Sequence, residues 1–244
     1  MAPVVANADC AKILHPKLSQ VIEENYVDTA SRFLNLSAGA ILEGSSRHGG
    51  LQPDYLIDID NPVFDGLREF VRGLVTKQDM SYWTKVSSVT QYIQSEMLYR
   101  RDYDDETYQK LIAHYRLLNI PIPLSEYVKA HSGVCRENAI ILHFALEWMG
   151  IENRFLYVHV NEVLESRVNE EDHAVVVVMV DGELRVVDSY HFFTYTGFRL
   201  QDLLGSGVAN IDLNVSELLN NNTFPRRFER VNTYPLVLRR EGPN

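Results

Sequence analysis

The chain has 244 residues, enough for one large domain, and its 45% apolar content allows a sizeable core. It carries 33 acidic against 23 basic residues, a formal charge of −10. That balance argues against a non-specific nucleic-acid binder and against a binder of anionic membranes, both of which work through basic patches.

The two cysteines, Cys10 and Cys135, make no disulfide framework, so a reducing compartment, the cytoplasm, is expected. The opening MAPVVANADCAKILHPK lacks the basic start and the roughly 7–15 apolar residues of a secretory signal. No stretch reaches about 18 apolar residues, so no membrane span is expected.

In chain order, apolar spacing predicts a helix over Leu18 to Leu34. Ser45 to Gly66, rich in Gly, Pro and Asp, reads as a long loop. Helices are expected over Phe64 to Val75, Ser81 to Tyr99 and Asp105 to Leu118, the last stopped by Ile120-Pro121-Ile122-Pro123. Leu124 to Ala130 reads as a short helix leading to Cys135. The second half turns to strands. Arg154 to Val160 is one, and the polar NEVLESRVNEED after it reads as a loop. His173 to Val180 and Glu183 to Tyr190 form a hairpin about Asp181-Gly182. An Asn-rich turn, Asn220 to Asn222, precedes an edge strand over Phe228 to Leu238, interrupted by Pro235.

The stretch HSGVCRENAIILHFALEWMG carries the chemistry. Ser132 can cap a helix with Gly133, Val134 and Cys135 in its first turn, and Gly150 can end it. From Ala139 to Met149 only His143 and Glu147 are polar, one turn apart on a single stripe. A cysteine at a helix N-terminus has its thiolate stabilised by the dipole, and the first-turn N–H groups can hold an oxyanion. Gly133 leaves room for a substrate carbonyl. Taken alone, Cys135 reads more readily as a small buried hydrophobe than as a nucleophile.

A thiolate nucleophile needs a histidine, and the histidine an orienting carboxylate. With Asp181 and Gly182 as the turn residues, Val180 pairs with Glu183, Val175 with Asp188 and His173 with Tyr190. His173 and Asp188 are then diagonal neighbours on one face, with Cβ atoms roughly 7–8 Å apart. A one-residue bulge would part them. His131, His143 and His159 fit less well, and His191 is the best competitor to His173. No CxxC, HxxxH or HExxH spacing occurs, so no metal is expected.

Gly133-Val134-Cys135, Ala139, Leu142, Gly150-Ile151 and Arg154 together resemble the cysteine helix of the transglutaminase-like superfamily. Asp172-His173-Ala174, then Asp181-Gly182 and Asp188, resemble its histidine–aspartate hairpin. The resemblance covers about Lys85 to Leu204. It implies a papain-like α+β fold, a cysteine-bearing helix packed on an antiparallel sheet. It also implies that Cys135 is the nucleophile, His173 its acid–base partner and Asp188 the residue that orients His173. Gly133, Trp83 and Tyr190 are candidates for substrate binding, and Trp83, Gln91 and Tyr127 for a second oxyanion donor. Arg136 stands where the animal cross-linking enzymes often carry tryptophan, as in many bacterial members. The expected organisation is a helical extension over 1–80, the catalytic core over 81–204 and a C-terminal extension over 205–244.

The function implied is cysteine-dependent acyl transfer or hydrolysis at amide bonds: protein glutamine deamidation, cross-linking or peptide cleavage. No cofactor is expected. The partner expected is a protein or peptide substrate bearing a carboxamide, with no nucleic acid and no membrane. A silent protein-binding module and a small-molecule amide synthase are the alternatives.

Overall fold

This structure, a computed structural model, describes residues 26–27, 33–34, 36–42, 46–47, 50–51, 54–100, 104–164, 167–190, 196–197, 199 and 209–210. Cys10, His191, the turn at Asn220 to Asn222 and the strand expected over Phe228 to Leu238 lie outside these residues.

Where the N-terminal region is described, it is made of short strands: β1 (Tyr26–Val27), β2 (Phe33–Leu34), β3 (Ile41–Leu42), β4 (Ser46–Arg47), β5 (Gly50–Leu51) and β6 (Tyr55–Leu56). Two expectations are corrected here. Tyr26–Val27 and Phe33–Leu34 are strands, not parts of a helix over Leu18 to Leu34. The segment from Ser45 to Gly66 is not one loop. Local spacing misled because pairing partners far along the chain decide these elements: Leu34 pairs with Phe155, and Tyr55 with Ile122.

The helices follow. A 3₁₀ turn at Pro62–Phe64 leads into α1 (Asp65–Val75), which buries Leu67, Val71 and Leu74. Helix α2 (Tyr82–Tyr92) starts where Ser81 Oγ accepts the Thr84 N–H. Its expected continuation to Tyr99 is not α-helical: Ile93–Met97 is a π-helical turn, closed by Leu98 N–H on the Ile93 carbonyl at 2.8 Å. Strand β7 (Tyr99–Arg100) comes next. Helix α3 (Glu106–Leu118) is capped by Asp105 and ends at Asn119 with φ +52°. Strand β8 (Ile122–Pro123) leads into α4 (Leu124–Lys129), and Asp58 accepts the Ser125 N–H at that helix's start.

Strand β9 (Ser132–Gly133) precedes α5 (Cys135–Trp148). Strands β10 (Asn153–Leu164), β11 (Arg167–Val180), β12 (Glu183–Val187) and β13 (Ala209–Asn210) complete the described chain. The main sheet is antiparallel, in the order β12-β11-β10-β13, with β2 also on β10. A smaller sheet has the order β1-β3-β6-β8. The stretch NEVLESRVNEED is no simple loop: β10 and β11 pair all the way out to Leu164 and Arg167.

Helix α5 is the centre of the molecule. It packs on β10 and β11 and against α1 and α2. Every residue from Cys135 to Leu146 is buried. The fold is therefore α+β, a cysteine-bearing helix on an antiparallel sheet, as the sequence implied. Among the described residues no helix is long and apolar enough to cross a membrane.

Candidate active site

The helix end sets the position of Cys135. Gly150 has φ +72°, its N–H donates to the Glu147 carbonyl at 2.8 Å, and the Ile151 N–H donates to the Leu146 carbonyl at 2.9 Å. This paired C-terminal cap stops the helix where the sequence placed its end. The start differs from expectation. Ser132 is not the cap, because Ser132 and Gly133 pair in parallel with Tyr99 and Arg100. Val134 is the cap residue, and its N–H donates to the Glu137 carboxylate at 2.8 Å. Cys135 thus opens the helix, at the position where the dipole acts most strongly.

Gly133 is packed against Leu98 on its side-chain side. A Cβ there would stand 2.9 Å from Leu98 Cδ1, so the missing side chain makes room for Leu98. That is a packing reason for the glycine, beside the substrate-binding role expected of it.

The hairpin turns as its Asp-Gly predicts, with Asp181 at φ +52° and Gly182 at φ +78°. Both residues lie in the left-handed region that a two-residue hairpin turn needs. The register runs without a bulge from Val180↔Glu183 to Val176↔Val187. Strand β12 ends there, so Asp188 and Tyr190 stand just past the ladder rather than in it. His173 Nε2 still reaches Asp188 Oδ2, at 2.7 Å. A carboxylate only accepts, so the Nε2–H donates and Nδ1 is left to face the thiol.

Cys135 is hydrogen-bonded to His173, and the Ala174 backbone N–H donates to its sulfur. Burial pushes the thiol up, but the His173 bond, the His173 charge and the Ala174 N–H outweigh it, and the thiol lies below its usual range. For His173 burial favours the neutral ring. The Asp188 carboxylate and the Cys135 sulfur outweigh that, and the imidazole is pushed up to about 10. Both shifts run in the direction that favours a thiolate–imidazolium pair. Cys135, His173 and Asp188 are 5%, 6% and 0% exposed, so water screens them little.

Asp188 is held on several sides. Its Oδ1 accepts the Tyr190 N–H at 2.9 Å, and its own N–H donates to Thr196 Oγ1 at 3.0 Å. Gln94, on the π turn, donates from Nε2 to the Ser189 carbonyl. Tyr190 also sets its ring 6.3 Å from that of His173. Trp83 lies half-buried on α2, edge-on to Tyr82, and no described contact joins it to the other three residues. Gln91 is exposed on α2. Tyr127 is fully buried and stacked on Tyr55 at 5.5 Å, set into the core.

Sequence reasoning missed Gln94, Thr196 and Glu137. Only Glu137 left a signal: an acid three residues past a helix cap, half of a capping box. Glu137 is fully buried, accepts from Val134 N–H and from Tyr108 OH at 3.3 Å, and is pushed up by burial.

His143 and His131 stand apart. His143 does stand beside Glu147, Nε2 to Oε1 3.5 Å, but the rest of the chain packs over it. It is fully buried, Nδ1 contacts Asn153 Oδ1 at 2.6 Å, and Nε2 accepts the Leu36 N–H at 3.2 Å. Burial first of all brings it down to about 4, so it is a neutral structural residue. His131, at φ +47°, is exposed and stacks on Tyr99 at 5.2 Å. His159 pairs with Asp172 along the β10–β11 ladder.

Comparison with known proteins gives the following. Residues 70–204, more than half of the chain, match the family described as the transglutaminase-like domain. No curated protein matches. Among solved structures, a proposed cysteine protease from Cytophaga hutchinsonii is 15% identical with a TM-score of 0.36, over 60% of this chain and 45% of that one. A TGase is 17% identical with a TM-score of 0.33, over 60% of this chain and 36% of that one. The chain thus spans less than half the length of either structure.

Proposed function

Because the chain belongs to the transglutaminase-like domain family, we propose that it is a cysteine-dependent enzyme that cleaves or exchanges amide bonds through a thioester. The observation that carries this reading is the placement of His173 between the Cys135 thiol and the Asp188 carboxylate.

In this reading the Cys135 thiolate attacks a carboxamide or peptide carbonyl. The negative charge gathers on the carbonyl oxygen. The first-turn N–H groups of α5, which have no intrahelical carbonyl to bond, face that charge and stabilise it. The C–N bond then breaks, and ammonia or an amine leaves with the proton that His173 holds on Nδ1. Asp188 keeps the ring in the tautomer and orientation that make this possible. Water, or an amine, attacks the thioester as His173 takes its proton, and the thiolate returns. Water on a glutamine side chain gives deamidation, an amine gives cross-linking, and water on a backbone amide gives cleavage. The substrate class we favour is a carboxamide carried by a protein or peptide. The thiol must be reduced to act, which suits a reducing compartment such as the cytoplasm.

The first test needs no substrate. Alkylation of Cys135 is followed by mass spectrometry from acid to alkaline pH, with Cys10 as the internal reference at about 8.5. Cys135 should react well below that pH in the native protein and lose its low-pH reactivity in His173→Ala. A Cys135 that titrates like Cys10 in both proteins would sink the proposal.

A further inference from the structure

The π-helical turn Ile93–Met97 touches both halves of the site. At its C-terminal end Leu98 fills the space left by Gly133, two residues before the nucleophile. On its other side Gln94, half-buried, donates from Nε2 to the carbonyl of Ser189, the residue after Asp188 and 95 positions away in the chain. A π turn has a physical consequence here. It inserts one residue into the helical repeat, so the side chains after it are rotated relative to an unbroken α-helix. Ile93 and Met97 stay buried while Gln94 reaches the aspartate turn.

We infer that Gln94 is a positioning residue for the proposed triad: by holding the Ser189 carbonyl it fixes the turn that presents Asp188 to His173. This rests on the Cys135–His173–Asp188 reading above. Asp188 leaves the ladder one residue after Val187, so strand pairing does not hold its carboxylate. The Tyr190 N–H and Thr196 hold it from within its own loop. Gln94 ties the loop to the π turn, and Leu98, the residue after that turn, packs against Gly133, two residues before the nucleophile. The amide acts from a distance: it touches neither the thiol nor the imidazole in any described contact.

The test is a double-mutant cycle read by the pH profile of Cys135 alkylation in the full chain. Gln94→Met keeps length and apolar stem but removes the donor. It should move the apparent thiol pKa up by about one unit, a roughly tenfold loss of alkylation rate at pH 6. Adding Gln94→Met to Asp188→Asn should change the profile no further, because the amide acts through Asp188. Gln94→Glu puts a carboxylate against the Ser189 carbonyl and should move the pKa up by more than Met does. Two results overturn the inference: a profile in Gln94→Met and Gln94→Glu that superimposes on the native one, or shifts from Gln94→Met and Asp188→Asn that simply add. A native Cys135 that titrates as an ordinary thiol would instead overturn the enzymatic reading itself, so the two failures are distinguishable.

Discussion

Leu98 stands where a side chain of residue 133 would be: an added Cβ would lie 2.9 and 3.1 Å from its two methyl carbons and 3.3 Å from Glu137 Cβ. Gly133→Ala should therefore push β9 away from β7 and displace Cys135 from His173. The expected loss of stability is about 1–3 kcal/mol by urea unfolding, with reduced Cys135 alkylation at pH 6. Leu98→Ala in the same chain should restore part of both. If it restores neither, the glycine is needed for another reason.

Cys135→Ala should abolish amide turnover and leave the fold intact, since it removes one buried sulfur at a helix start. Ammonia release from glutamine peptides, with and without a primary amine, measures this and sorts deamidation from cross-linking. Retained turnover would take Cys135 out of the mechanism.

Asp188→Asn replaces an acceptor with a group that can present its own N–H to Nε2 of His173. The ring then carries its proton on Nδ1 and cannot take one from the thiol. The corresponding change in serine-protease triads costs about 10⁴-fold in kcat, and a loss of roughly 10²–10⁴-fold is expected here. A native rate would point to another carboxylate, such as Glu171 or Asp172.

His143 gives the protein an acid limit. Its folded value is about 4, against about 6.5 in an unfolded chain, because burial disfavours the imidazolium. A histidine lowered on folding binds its proton more tightly when unfolded, so its contribution is intact above about pH 6.5. It is lost as pH falls toward 4, on the order of 3 kcal/mol in all. His143→Gln can accept from Leu36 N–H and donate to Asn153. Its urea midpoint should fall less between pH 6.5 and 4 than that of the native chain. Equal slopes would assign the acid limit to other groups.

The parts of the site that local rules control were legible in the sequence. Asp181-Gly182 dictates a two-residue turn, the turn dictates register, and register put His173 and Asp188 within reach of each other. Gly150 dictated the end of the cysteine helix. What stayed hidden depends on partners far along the chain. Ser132 is a good cap by type, yet Tyr99 and Arg100 draw it into a strand. His143 looked like half of a polar stripe because the backbone N–H and amide that satisfy it come from Leu36 and Asn153. The π turn that carries Gln94 has no composition signal, and Gln91 was a candidate only for an oxyanion donor.

The bond between the Leu36 N–H and His143 spans 107 residues, while the bond between His173 and Asp188 spans 15. Closing the longer loop costs roughly 2 kcal/mol more chain entropy than closing the shorter one. The hairpin that carries the histidine and the aspartate therefore forms early, on a microsecond scale. The N-terminal tie comes late, after the helix it rests on is in place. On a ribosome adding about 5–20 residues per second, Leu36 waits roughly 5–20 s for His143 to be synthesised at all. For that interval the Leu36 N–H lacks its partner on the central helix, and the backbone there depends on water or a chaperone.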